Sequence, residues 1–223
     1  MPQTPALVNG EIYHVFNKSI AGYQIFNDQD EYHRMVNAIR YYKMKDLPCP
    51  LSDFLRLNKV HEMGFEKYFD KVMKGGSCLI DLLAFCLMPT HIHLILRQVE
   101  DDGISVYMSN ILNSYARYFN RSHRRKGPLW VGRFGRRHVV TDEDFLHLSR
   151  YVHLNPVTAC LVGKPEGWEY SSYKEYINLV NQNLSICDMH DVIELNPEIY
   201  KKFVNEQIDA QRELAQIKHL VLE

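Results

Sequence analysis

Apolar and polar residues alternate or cluster in four short runs, and two longer stretches repeat their apolar positions at helical spacing. These elements follow the order strand, helix, strand, strand, helix, strand, with one tight turn between the middle strands. That order predicts an α+β fold: a ferredoxin-like, split βαβ antiparallel sheet with helices on one face, plus a helical insertion and a helical C-terminal tail. With 223 residues, 46% hydrophobic and 24% charged, the chain has the composition of a globular protein and is neither fibrous nor wholly disordered.

The first strand is read from the alternation of Glu11 to Phe16. Asp28 with Glu31 three positions later offers a capping box. It opens a helix whose Tyr32, Met35, Val36, Ile39 and Tyr42 share one side. Pro48 and Pro50 break the next stretch, and Gly75-Gly76 close it, so 43–76 reads as an insertion holding one or two short helices between Leu51 and Val72. Leu79–Leu87 and His91–Val99 are the central strands, joined through Met88-Pro89-Thr90. The helix from Ile104 to about Arg125 puts Ile104, Met108, Ile111, Leu112, Tyr115 and Phe119 on one side, and Gly127-Pro128 stops it. Phe134–Val140 supplies the fourth strand. Thr141 with Asp144 caps a helix whose buried stripe is Phe145, Leu148 and Val152, and Pro156 is expected to end or kink it. Ser171–Leu179 and Glu198–Leu220 are expected helices. The domain division predicted is 1–180 for the sheet domain and 181–223 for the helical extension.

Five cysteines without a C-x-x-C pair argue against a disulfide scaffold or a zinc knuckle and for a reducing, cytoplasmic setting. The opening Met1–Pro5 lacks the basic start and apolar core of a signal peptide. No apolar run is long enough to span a membrane; Cys78–Met88 comes nearest and is interrupted by Asp81.

The net charge of −1 hides an asymmetry. Ile104 to Thr141 contains none of the 27 acidic residues, yet it carries Arg117, Arg121, Arg124, Arg125, Lys126, Arg133, Arg136 and Arg137. Tyr107, Tyr115, Tyr118, Phe119, Trp130 and Phe134 lie among them. Cations for phosphates beside rings for bases suit a single-strand nucleic-acid surface. A solvated helix face with ordinary core aromatics has the same composition.

Met88-Pro89-Thr90-His91-Ile92-His93-Leu94-Ile95-Leu96 is the most informative segment. Residues i and i+2 of a strand point to one face, so His91 and His93 project together, away from Ile92 and Leu94. Two such imidazoles can converge on a cation, or be two partly buried histidines satisfied by backbone groups. Tyr151 and Asn155, four apart, share a helix face. They suit a phenol and an amide aimed at one phosphate, or equally a half-buried aromatic followed by a helix stop.

Four blocks in order carry a resemblance: Met88 to Leu96; Tyr115-Ala116-Arg117-Tyr118-Phe119-Asn120-Arg121; Gly127-Pro128-Leu129-Trp130-Val131-Gly132-Arg133-Phe134; and Ser149-Arg150-Tyr151-Val152-His153-Leu154-Asn155-Pro156-Val157. A weaker fifth runs from Trp168 to Tyr176. Together they resemble the HUH single-tyrosine transposases of bacterial insertion sequences, and most closely the REP-associated tyrosine transposases. The resemblance covers about Glu11 to Leu179; the 43–76 insertion and the tail depart from typical members. It implies that His91, His93 and Asn155 hold a divalent metal, Mg2+ or Mn2+, and that Tyr151 is the nucleophile. It also implies that the substrate is single-stranded or hairpin DNA, with the eight cations on its backbone. The REP-associated branch favours a monomer cutting in cis; a homodimer is the alternative.

A phenol, with a pKa near ~10, is a weak nucleophile unless its surroundings favour the phenolate, and as a leaving group it surpasses a sugar hydroxyl. A 5′-phosphotyrosine bond therefore keeps the cleavage reversible, which suits strand transfer. Tyr115 and Tyr118 are fallback nucleophiles. His147 and His153 are expected to pack or contact phosphate. Rival readings are a non-catalytic hairpin-binding regulatory protein and a metallo-phosphohydrolase that uses water.

Overall fold

The computed structural model describes residues 6–180, 185–189 and 196–213. Four strands, β1 (Ile12–Lys18), β2 (Ile80–Met88), β3 (His91–Gln98) and β4 (Gly135–Val139), form one sheet in the order β2-β3-β1-β4, every neighbour antiparallel. The helices are α1 (Gln29–Tyr41), α2 (Leu51–Phe54), α3 (Asn58–Met63), α4 (Phe65–Met73), α5 (Gly103–Ser122), α6 (Asp142–Thr158), α7 (Tyr173–Tyr176) and α8 (Pro197–Asn205). The α+β class and the antiparallel sheet are those predicted.

Local chemistry starts α1 and α6. The Asp28 carboxylate accepts from Glu31 N–H at 2.9 Å, while the Glu31 side chain accepts from Asn27 N–H at 2.7 Å, one residue before the cap. Thr141 Oγ1 accepts from Asp144 N–H at 3.1 Å at the head of α6. At the head of α5, a Cβ on Gly103 would sit 2.1 Å from the Leu79 carbonyl oxygen, so only glycine lets the helix start against β2. The insertion forms three short helices instead of one or two. Its Leu51, Phe54, Phe65 and Phe69 are buried and join the core under α1.

Helices cover both faces of the sheet, and the expectation of one helical face is corrected. Tyr13, Val15, Ile92, Leu94 and Leu96 point to α1 and α5, whereas Ile95 and Val139 point to α6, α7 and α8. In β2 a bulge between Leu82 and Ala84 shifts the alternation, so Ile80 and Leu82 face α5 before it and Phe85 and Leu87 after it. Cys86 and Met88 face the other layer. A strand this continuously apolar belongs between two layers. The free edge of β2 is closed by 170–172: Leu87 N–H donates to Tyr170 O at 2.9 Å, Ser172 N–H to Phe85 O at 3.0 Å, and Phe85 N–H to Ser172 Oγ at 2.9 Å. Those bonds limit the expected 171–179 helix to Tyr173–Tyr176.

Pro156 does not end α6, which runs to Thr158. Proline there removes one N–H in the last turn, while Ala159 N–H and Leu161 N–H still reach the Asn155 and Pro156 carbonyls at 2.9 Å each. The described part of the tail packs inward: Tyr200 of α8 is 1% exposed and donates to Ser149 Oγ at 2.9 Å. The expected helix beyond 213, and the stretches 181–184 and 190–195, lie outside the described residues. Among the described residues no helix is long and apolar enough to cross a membrane.

His153 shows how this second layer is held. It is fully buried, with Nδ1 2.8 Å from Tyr200 Oη and Nε2 2.8 Å from Ser172 Oγ. Burial lowers its pKa from 6.5 to about 3. The unfolded chain takes up this proton near pH 6.5 and the folded chain only near pH 3. The contribution is therefore complete above 6.5 and is lost as pH falls through that window. Between pH 7 and pH 3 it is expected to remove roughly 4 kcal/mol of unfolding free energy. Urea unfolding of His153→Gln should show a visibly flatter acid limb than the parent; equal limbs would refute the assignment.

Candidate active site

The site lies on the sheet face under α6. Antiparallel partners share a face, and β1 pairs Phe16 with His93, His14 with Ile95, and on its other side His14 with Arg137 and Phe16 with Gly135. His14, Phe16, His91, His93, Gly135 and Arg137 therefore lie on one surface. A Cβ on Gly135 would fall 2.4 Å from the Phe16 ring, which packs beside His14 at 5.3 Å and His93 at 6.2 Å between centroids.

Both strand histidines use one ring nitrogen on the protein. His91 Nδ1 is 3.0 Å from Thr90 Oγ1, and His93 Nδ1 is 3.0 Å from His14 Nε2. Nε2 of each is left open. The two rings stand at 86° with centroids 5.0 Å apart. Burial first, then the charge of Lys18, lowers the His91 pKa to about 4. Burial, followed by His91, His14 and Lys18, lowers His93 to about 2; burial and then Arg137 lower His14 to about 4. All three imidazoles are therefore neutral near pH 7, the form with a lone pair to give a metal.

α6 brings Tyr151 over this cluster. Its ring stands T-shaped to His93 at 5.6 Å and to His14 at 6.2 Å, and the residue is 45% exposed. Asn155, half-buried one turn on, donates through Nδ2 to the Tyr151 carbonyl at 3.0 Å, which leaves Oδ1 as its open acceptor. Its side chain makes no hydrogen bond to the imidazoles. Among the described residues no three His, Cys, Asp or Glu side chains converge on a point. Two open imidazole nitrogens and one amide oxygen nonetheless fit a hard divalent cation with positions left for substrate oxygens.

The structure draws together His91, His93 and Tyr151 as the sequence suggested, and adds His14, which the motif reading missed. Its signal was present: the alternation of β1 sends His14 to the face opposite Tyr13 and Val15. The fallback tyrosine Tyr115 is fully buried, its hydroxyl on the Ile25 carbonyl. His153 packs, as expected, and His147 sits at the surface beside Arg150.

Of the two readings of the aromatics in the basic stretch, the structure bears out ordinary core aromatics. Tyr107, Tyr115 and Phe119 are fully buried and Trp130 is 8% exposed, its indole N–H on the Leu112 carbonyl, so these rings form core and stack no bases. The cations divide into groups. Arg117 and Arg121 lie exposed on α5, behind the sheet as seen from Tyr151. Arg125 is tied down on the 120–128 turn through Asn120, Gly127 and Pro128; its neighbours Arg124 and Lys126 lie on the same turn. Arg133 precedes β4. Arg136 faces α5, while Arg137 faces His14 and pairs with Asp144 at 2.5 Å.

Residues 56–155 match the family model described as transposase, IS200-like. A Haemophilus influenzae (strain ATCC 51907 / DSM 11121 / KW20 / Rd) protein provisionally named a REP-associated tyrosine transposase is 27% identical over 103 residues, which is 42% of this chain and 58% of that relative. The chain thus matches little more than half the length of that relative. Among solved structures, a REP-associated tyrosine transposase bound to a REP hairpin superposes with a TM-score of 0.51 at 16% identity, over 88% of this chain and 96% of the other. At that identity the likeness speaks for the fold.

Proposed function

We propose that this chain, which is similar to IS200-like transposases over residues 56–155, is a metal-dependent single-stranded DNA endonuclease and strand transferase acting at palindromic hairpin elements. The observation that carries the reading is the exposed Tyr151 phenol standing over neutral His93 and His14 on one sheet face. Tyr151 Oη attacks the phosphorus, the bond to the 3′ oxygen breaks, and that oxygen leaves as a 3′-hydroxyl. The 5′ phosphate remains on the tyrosine until an incoming 3′-hydroxyl reverses the step.

A divalent cation, Mg2+ or Mn2+, held by Nε2 of His91 and His93 and Oδ1 of Asn155 would supply positive charge against the phosphoryl oxygens. His14 orients His93: with His93 donating Nδ1–H to His14 Nε2, the lone pair of His93 Nε2 faces outward. The sheet fixes these groups while α6, anchored by Val152, His153 and Leu154, fixes the tyrosine. Tyr151 lies on the histidines of its own chain, which supports cleavage in cis by a monomer.

The test is incubation with hairpin oligonucleotides labelled at the 3′ end, with Mg2+, Mn2+ or chelator, followed by denaturing electrophoresis. A labelled protein band that chelator prevents is expected. Tight hairpin binding with no adduct, for several hairpins and either metal, would leave a binding protein instead; free phosphate-ended products with no adduct would indicate hydrolysis by water.

A further inference from the structure

On the far side of the sheet from Tyr151, α1, α5 and the insertion enclose an open groove of about 1180 Å³. Its walls present Arg34, Lys45, Arg56, Arg117 and Arg121, and none of its lining residues is acidic. Arg34 is unusual. It is only 8% exposed, and among the described residues its Nε has no hydrogen-bond partner and no carboxylate pairs with it. One terminal nitrogen reaches Ser114 Oγ at a long 3.4 Å, and the guanidinium rests over the Tyr118 ring at 5.4 Å.

A buried guanidinium without a counter-charge is costly, and burial lowers its pKa below the usual arginine value. A fold retains such a group most simply where an external anion completes it. Lys45 and Arg56 do pair with carboxylates, Glu100 at 2.9 Å and Asp53 at 3.8 Å, but those acids stand outside the groove lining. Arg117 and Arg121 have no carboxylate partner among the described residues. Serine and asparagine side chains, Ser52, Asn110 and Ser114, fill the space between the cations with neutral donors. Guanidinium forks, hydroxyls and amides along a channel of this size match a run of phosphodiesters.

We infer that this groove is a second DNA-binding site: it takes the phosphate backbone of the substrate DNA away from the scissile phosphate, with the 43–56 part of the insertion as its outer wall. The inference rests on the DNA-processing reading and extends it. It gives the insertion a role, and it explains why Arg117 and Arg121 are grouped apart from Arg137 and the tyrosine. With phosphates held on both sides of the sheet, the substrate must bend around the molecule or reach it by two arms.

The experiment uses the full chain and a fluorescent hairpin with long flanks, with binding followed by anisotropy over a series of salt concentrations. Ser52→Glu puts a carboxylate on the exposed insertion wall, and Arg121→Gln removes one exposed cation from the helix wall; neither change disturbs the core. Each is expected to weaken binding about tenfold, and Arg121→Gln to lower the slope of log affinity against log salt by about one. Wild-type affinity and slope in Ser52→Glu would overturn the proposal, whatever Arg121→Gln does, because the insertion would then not line the DNA path. Adduct formation is read on the same samples. A wild type that binds through the groove but makes no adduct would sink the transposase reading alone, while normal adducts with unaffected binding in both variants would sink the groove alone.

Discussion

Tyr151→Phe is expected to bind hairpin DNA as the parent does and to lose both cleavage and the covalent protein–DNA band, a fall of about 10³-fold or more. The change removes one oxygen. The ring keeps its T-shaped contacts with His93 and His14, and α6 keeps its buried stripe, so neither fold nor cluster geometry should respond. Neither fallback tyrosine can stand in. Tyr115 is enclosed in the core, and Tyr118 lines the groove behind the sheet. Near-normal thermal unfolding with no adduct is the supporting result. A Tyr151→Phe protein that still cuts would reject the phosphotyrosine route.

Much of the fold is legible from local chemistry. The capping residues Asp28 and Thr141 name the starts of α1 and α6, and Met88-Pro89-Thr90 joins β2 to β3, because these signals act over three or four residues. What escaped was set by distant parts of the chain. The aromatics of α5 looked like stacking platforms beside arginines, yet helical geometry sends Tyr115 and Phe119 inward while Arg117 and Arg121 turn outward. That Ile80–Met88 lacks alternation was the available sign of two helical layers, and the bulge after Leu82 then shifts which residues face each of them. Pro156 acts as a helix stop only where enough of the ladder remains to break; two residues from the end of α6 it removes little.

The site was legible in proportion to its contiguity. His91 and His93 share a strand, and Tyr151 and Asn155 share a helix face, so spacing alone proposes each pair. His14 lies 79 residues before His93 and joins it only through the β1–β3 register. The groove is further from sequence reasoning still: Arg34, Ser52 and Arg121 belong to three elements, and only their packing leaves a buried guanidinium without a counter-ion among the described residues.

Cation binding measured without DNA separates ligand from support. Titrating the free protein with Mn2+ in a calorimeter, His91→Ala and His93→Ala should each abolish measurable binding, since each removes one of two nitrogen donors. His14→Ala should keep both donors and lose only the ring that fixes the His93 tautomer, so affinity should fall about 10- to 100-fold and not vanish. His14→Asn, which restores a carbonyl acceptor near the position of Nε2, should recover part of the loss. A His14→Ala protein that binds Mn2+ as tightly as the parent would make the 3.0 Å contact a packing accident. One that loses binding as fully as His93→Ala would make His14 a ligand in its own right. The intermediate value, together with rescue by asparagine, is the result that the β1–β3 register calls for.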